Sequence, residues 1–206
     1  GFPRLDDYLR HSRSHGAIVG RVANRTAGAA FSLDGRSYTV TANEGANHLH
    51  GGAIGLGKRI WDMEADSAAG TVELSYLSPD GEEGYPGTVA FTVRFRLEGP
   101  TLVCEMTGRP DRPTPVSLAN HSYYNLAGGG TVSDHLLWID APEYTVTGAG
   151  QLPTGEIRPV DGTRLDFTSE REIGDTPLDD NLVLRPDRDR TQPAARVFCP
   201  RTGMRL

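Results

Sequence analysis

The sequence has no apolar run long enough to span a bilayer as a helix, and no leader-like segment opens it. It is poor in cysteine: Cys104 and Cys199 are too few for a disulfide framework in a chain this size. They read as ordinary packed thiols, one in a strand and one near a turn. No basic cluster is present either. The 21 Lys and Arg are scattered among 27 Asp and Glu, for a formal net charge of −6. That balance argues against a nucleic-acid partner and against a membrane-surface patch. Unpaired thiols and the absence of a leader together imply a cytoplasmic protein. The start lacks a methionine, running Gly-Phe-Pro-Arg, which suggests a reading that begins inside a longer gene product. Helical periodicity is missing as well.

What the chain does have is 25 Gly and 14 Pro, spread throughout. That density divides it into short elements, and between them the alternation has period two. Val89, Phe91, Val93, Phe95 and Leu97 share one strand face, and Leu102, Cys104 and Met106 continue it beyond Glu98-Gly99-Pro100. The pair predicts a hairpin with one face in the core. Phe31 and Leu33 precede Asp34-Gly35, and Tyr38 and Val40 follow, a second hairpin signal because both turn residues tolerate positive φ. Residues 72–76, 61–64, 137–141, 144–147 and 182–184 are further strands. A last hairpin runs from Ala195–Phe198 through the turn 199–203 into Met204-Arg205-Leu206, where an unpaired return strand would be an exposed edge. Many short strands with frequent turns predict an all-β sandwich or barrel. With 206 residues and no linker, one domain over 1–206 is expected.

Several constellations carry chemistry on paper. His48 and His50 would share a face on an extended backbone and could join His121 in a zinc site. The surrounding Asn47-His48-Leu49-His50-Gly51-Gly52 is turn-prone, however, and no metal is expected. Gly52-Ala53-Ile54-Gly55-Leu56-Gly57-Lys58 matches the first seven places of a phosphate loop, but Arg59 stands where Ser or Thr must bind magnesium. A surface glycine loop is the better reading. The sequons at Asn24 and Asn120 are short enough to arise by chance.

Three segments are richer: Gly20-Arg21-Val22-Ala23-Asn24-Arg25, Asn47 to Gly52, and Val116 to Leu126, which contains Asn120-His121-Ser122-Tyr123-Tyr124-Asn125-Leu126. Each mixes hydrogen-bonding side chains suited to a polyhydroxyl ligand with small residues that admit it, and Tyr123 or Trp61 could offer a sugar an apolar face. Taken singly, each has a plain alternative: Arg25 as an ion pair, His50 as a turn hydrogen bond, His121 as a satisfied core residue.

In this order the segments resemble the aldose 1-epimerase (galactose mutarotase) family, whose members carry Gly-Arg-x-Ala-Asn-Arg, Asn-x-Leu-His-Gly-Gly and Asn-His-x-Tyr-x-Asn-Leu. Gln151-Leu152-Pro153-Thr154-Gly155-Glu156-Ile157 and Leu178 to Leu184 resemble two further family elements, the second with Asp180 and Leu182 in place of the usual His and Phe. The resemblance implies a large antiparallel β-sandwich and cofactor-free interconversion of the α and β anomers of a hexose. It implies that His121 is the general acid that protonates the ring oxygen, and that Arg25, His50 and Asp179 hold the sugar, with Asn24 and Tyr123 beside them. An imidazole titrates near neutral pH, as such an acid requires. The family's general-base Glu belongs to a segment with no counterpart among these residues, and the family's N-terminal strands have none either. Glu143, Glu156 and Glu170 read as solvated loop carboxylates. A non-catalytic sugar-binding remnant and an epimerase of hexose 6-phosphates are the alternatives; the latter would favour extra cations around the pocket.

Overall fold

The computed structural model describes residues 2–11 and 14–206. It forms two compact units, residues 1–123 and 124–206. The first opens with a short helix, α1 (Leu5–His11), with Asp6 and Asp7 in its first turn and Arg10 and His11 in its last. That polarity complements the helix dipole. Seven residues are too few to show periodicity, so sequence patterning misses it.

Strands follow: β1 (Ile18–Val19), β2 (Arg25–Thr26), β3 (Ala30–Leu33), β4 (Arg36–Thr39), β5 (His48–Leu49), β6 (Asp62–Asp66), β7 (Thr71–Ser78), β8 (Val89–Glu98), β9 (Thr101–Pro110) and β10 (Ala119–Asn120). The strands β6, β7, β8 and β9 make one antiparallel sheet in that order. β3 and β4 form the expected hairpin, with φ of 50° at Asp34 and 74° at Gly35 and the Phe31 and Tyr38 rings stacked across it. Two short antiparallel pairs organise the polar segments. β1 pairs with β10, and β2 with β5, setting Arg25 opposite Leu49.

The alternation in β8 decides what the sheet packs against. Val89, Phe91 and Val93 are buried, and Val89 and Phe91 cluster with Leu56 and with Trp61, Tyr76 and Leu118. The pattern does not hold to the tip of the hairpin. Leu97 and Leu102 face each other across β8 and β9 yet are 61% and 53% exposed. Periodicity assigns a face, but how far a neighbouring layer covers it depends on tertiary packing.

A second cluster, Ala29, Val40 and Tyr85, lies beneath the polar segments. Beside it Arg21 is buried with every N–H used. Its Nε donates to Ser78 Oγ (2.9 Å), and its terminal nitrogens donate to the carbonyls of Ser78, Pro79, Pro86 and Gly87. Desolvation lowers its pKa from the ordinary guanidinium range, and nearby Glu82 opposes the shift. One residue of the first motif is thus a structural pin rather than a ligand.

In the second unit, β11 (Leu136–Ile139) lies between β14 (Arg171–Glu172) and β16 (Ala195–Phe198), and β12 (Glu143–Thr147) between β13 (Pro153–Pro159) and β15 (Leu182–Val183). Leu137, Ala141, Val160, Leu165, Phe167 and Cys199 are buried there. The C-terminal residues do fold back: Val197 and Leu206 exchange both backbone hydrogen bonds at 2.9 Å. Glu143 and Glu156 are exposed, as expected of solvated carboxylates, but stand on β12 and β13 rather than on loops, and Glu156 pairs with Arg158. No helix among the described residues is long and apolar enough to cross a membrane.

Candidate functional site

The site is built where the first two motifs touch. The φ of Gly51 is 86°, and a Cβ on it would lie 1.5 Å from the carbonyl oxygen of Gly20. Only glycine permits that approach. At Gly52 the φ is 109°, and a Cβ would fall on the Glu83 carboxylate, which accepts from the N–H groups of Ala53 (3.1 Å) and Ile54 (2.9 Å). The glycine stretch is therefore a loop tied down by a carboxylate, not a phosphate cradle.

Beside it opens a cleft of about 510 Å³, lined among others by Asn43, Glu44, His50, Gly52, Gly55 and Lys58. Bare glycine backbone on one side and polar side chains on the other suit a small hydroxylated ligand. His50 (φ 53°) and Asn24 (φ 63°) both take left-handed backbone, and the N–H of Asn24 donates to His50 Nδ1 (3.1 Å). Nδ1 is thus an acceptor, which puts the proton of this neutral imidazole on Nε2 and makes that nitrogen a donor. Arg25 forms a two-pronged pair with Glu44, Nε to Oε2 at 2.5 Å and Nη2 to Oε1 at 2.8 Å, and its Nη1 reaches Asn24 Oδ1.

The third motif arrives through β10. Beyond it, His121 exchanges backbone hydrogen bonds with the 16–17 segment, Gly16 N–H to His121 O and His121 N–H to Ala17 O, both 2.9 Å. The His121 ring is half-buried and meets the His50 ring edge-on, 5.1 Å between centroids at 89°. Tyr123, 65% exposed, packs on His121 at 5.2 Å.

His48 belongs to a different environment. It is buried, its Nδ1 donates to Thr41 O (2.7 Å), and its Nε2 accepts from Tyr85 O–H (2.7 Å). Burial lowers its pKa from 6.5 and pushes the Tyr85 phenol well above its ordinary range, so the donor stays protonated. The turn at His50 breaks the two-residue period, and with both nitrogens of His48 committed the three-histidine zinc arrangement is not formed. No group of three metal-ligating side chains occurs among the described residues.

The family model for aldose 1-epimerase matches residues 1–206. The chain belongs to the aldose 1-epimerase family. It is 41% identical over 212 residues to a galactose mutarotase of Sus scrofa, covering 98% of this chain and 61% of that protein. It is 44% identical over 176 residues to the galactose mutarotase of Bos taurus, covering 84% and 51%. The crystal structure of a GalM/aldose epimerase homologue from C. elegans superposes with a TM-score of 0.91 at 31% identity, covering all of this chain and 65% of that one. The fold is accordingly the all-β antiparallel sandwich of the family. The chain spans about half to three-fifths of the length of these curated relatives.

Within the first unit, the residues that the family resemblance singles out, Asn24, Arg25, His50, His121 and Tyr123, do come together. Asp179 lies in the second unit, exposed, in the strand-free stretch before β15, while its neighbour Asp180 is held by Arg164 at 2.8 and 3.1 Å. Sequence reasoning missed Glu44, an isolated carboxylate in the turn before β5 whose only signal is the Arg25 it meets.

The hydrogen bonds from Arg25 hold the Glu44 carboxyl below its ordinary 4.5. Because the folded value is the lower one, the pair's contribution to stability is complete above about pH 4.5 and is lost as the pH falls through the lowered value. The Tm difference between wild type and Glu44→Gln is therefore expected to be constant from neutral pH to about 5 and to shrink below that. Thermal unfolding across the range checks it. A difference that grows on acidification would refute the pairing.

Proposed function

We propose that this protein is an aldose 1-epimerase that interconverts the α and β anomers of a free hexose, such as galactose or glucose. The observation that carries this is the edge-on contact of His121 with His50 beside the cleft, with His50 tied through Asn24 to Arg25. The hexose lies in the cleft with hydroxyls on Arg25, Asn24 and the Nε2–H of His50, and with Tyr123 against its apolar face. His121 gives its proton to the ring oxygen as the bond from that oxygen to C1 breaks, and the anomeric hydroxyl loses one. The open-chain aldehyde turns about its bond to C2, and the ring closes on the other face as the attacking hydroxyl returns its proton to His121 and the carbonyl oxygen regains the proton that the anomeric hydroxyl had lost. Each step breaks or forms one C–O bond of the sugar and shifts protons, with no net oxidation or reduction, so the chemistry calls for no cofactor. The donor is assigned to this chain; the acceptor at the anomeric hydroxyl is not.

Polarimetry of fresh α-D-galactose and α-D-glucose with the full-length gene product tests the proposal, and decay well above the buffer rate is expected. Decay at the buffer rate together with calorimetric binding of either hexose would overturn it in favour of a carbohydrate-binding protein. Decay at the buffer rate without binding would overturn it outright.

A further inference from the structure

We propose that His15, which lies in none of the motifs, is a positioning residue for Tyr123. The proposal rests on the reading of the site above, in which Tyr123 meets the sugar.

Tyr123 lies beyond the regular pairing. It is two-thirds exposed, and the chain has left β10 by the time it is reached. The regular pairing of the 16–17 segment with this stretch ends at His121. Its ring is instead caught between two imidazoles: His15 at 4.8 Å with planes 38° apart, and His121 at 5.2 Å with planes 40° apart. Such separations are those of favourable ring packing.

His15 itself is well placed to act as a wall. It immediately precedes Gly16 and Ala17, whose backbone groups bond His121, so the two rings are fixed to opposite sides of one short ladder. Its ring also meets Phe2, at 5.8 Å and 68°. Phe2 packs edge-on against Tyr8 of α1, at 5.1 Å, and its N–H donates to the Tyr8 hydroxyl. A continuous row of rings runs from α1 through Phe2, His15 and Tyr123 to His121 and His50. The unexpected helix at the start of the chain is thus the outer support of the row. Removing His15 takes away one of the two ring contacts that Tyr123 makes among the described residues.

His15→Ala is expected to raise KM for the hexose roughly two- to tenfold, the range that one aromatic packing contact supplies, while kcat changes less than about twofold. His15→Phe keeps the ring and is expected to return KM to within about twofold of wild type. The Tyr123 ring resonance, identified by its loss in Tyr123→Phe, is expected to shift in His15→Ala and to recover in His15→Phe. A lowered Tm in His15→Ala with KM unchanged would overturn the proposal, since that is what a merely structural residue does. Failure of the phenylalanine to restore KM would overturn it too. If wild-type protein turns over no hexose, the functional reading fails, and the Tyr123 resonance alone decides this one: no shift in His15→Ala sinks it.

Discussion

His121→Ala is expected to lower kcat for anomer interconversion by about 10²- to 10⁴-fold, the loss that follows removal of a positioned proton donor. This corresponds to roughly 2.7–5.5 kcal/mol of barrier. The contact with His50 bears on the proposed choice of His121 as the donor. His50 Nδ1 accepts from the Asn24 N–H, so a second proton on His50 would break that bond and set a donor against a donor. Of two imidazoles 5.1 Å apart, His50 is thus the one whose Nδ1 is held by the backbone, which leaves the proposed donor role to His121. His121 is also half-buried rather than packed in hydrocarbon, so the mutation removes chemistry more than core. KM is expected to change far less than kcat. His121→Gln, which keeps polar contacts but cannot cycle a proton near neutral pH, should be nearly as slow. Polarimetric kcat values decide the matter, and a His121→Ala rate within about threefold of wild type would remove this residue from the role.

The largest expected effect on stability is at Arg21. Replacing it by Met leaves four buried carbonyls and the Ser78 hydroxyl without their donor, and removes the cation that faces Glu82. Losing one member of a buried charged network costs about 3–5 kcal/mol, or roughly 6–20 °C in Tm for a chain of this length. Arg21→Lys should recover only a minor part, because a single ammonium cannot address acceptors arranged around a planar fork. Differential scanning calorimetry checks both, and a Tm loss of only a degree or two in Arg21→Met would show that water replaces the guanidinium. The same guanidinium lies 5.8 Å from the Tyr85 ring, whose hydroxyl holds His48, so this damage is expected to reach the floor beneath the site.

Strand content was legible because each long strand alternates and each tight turn announces itself. The hairpin over 30–39 depends on Asp34-Gly35, and the structure uses both at positive φ. Ion pairs across short strands were not legible. Glu44 meets Arg25 only because Thr26 pairs with His48 and Arg25 with Leu49, a register that a two-residue strand leaves no pattern to reveal. The histidines show both outcomes within one motif. An extended reading puts His48 and His50 on one face, yet a single left-handed residue sends one ring into the core and the other to the cleft. For Arg25 the plain alternative also holds, since the arginine is ion-paired with Glu44, whereas the His50 ring bonds the N–H of Asn24 on a separate loop rather than a group within its own turn. In this site those bonds are how the side chains are held.

The near-contact of Gly51 with the Gly20 peptide has a bearing on how this region can change. With no room for even one methyl group between them, the two loops behave as a mortise and tenon. A foreign loop grafted in place of 47–52 would have to bring its own partner for 20–25, so the binding surface can be remodelled only by exchanging both pieces at once.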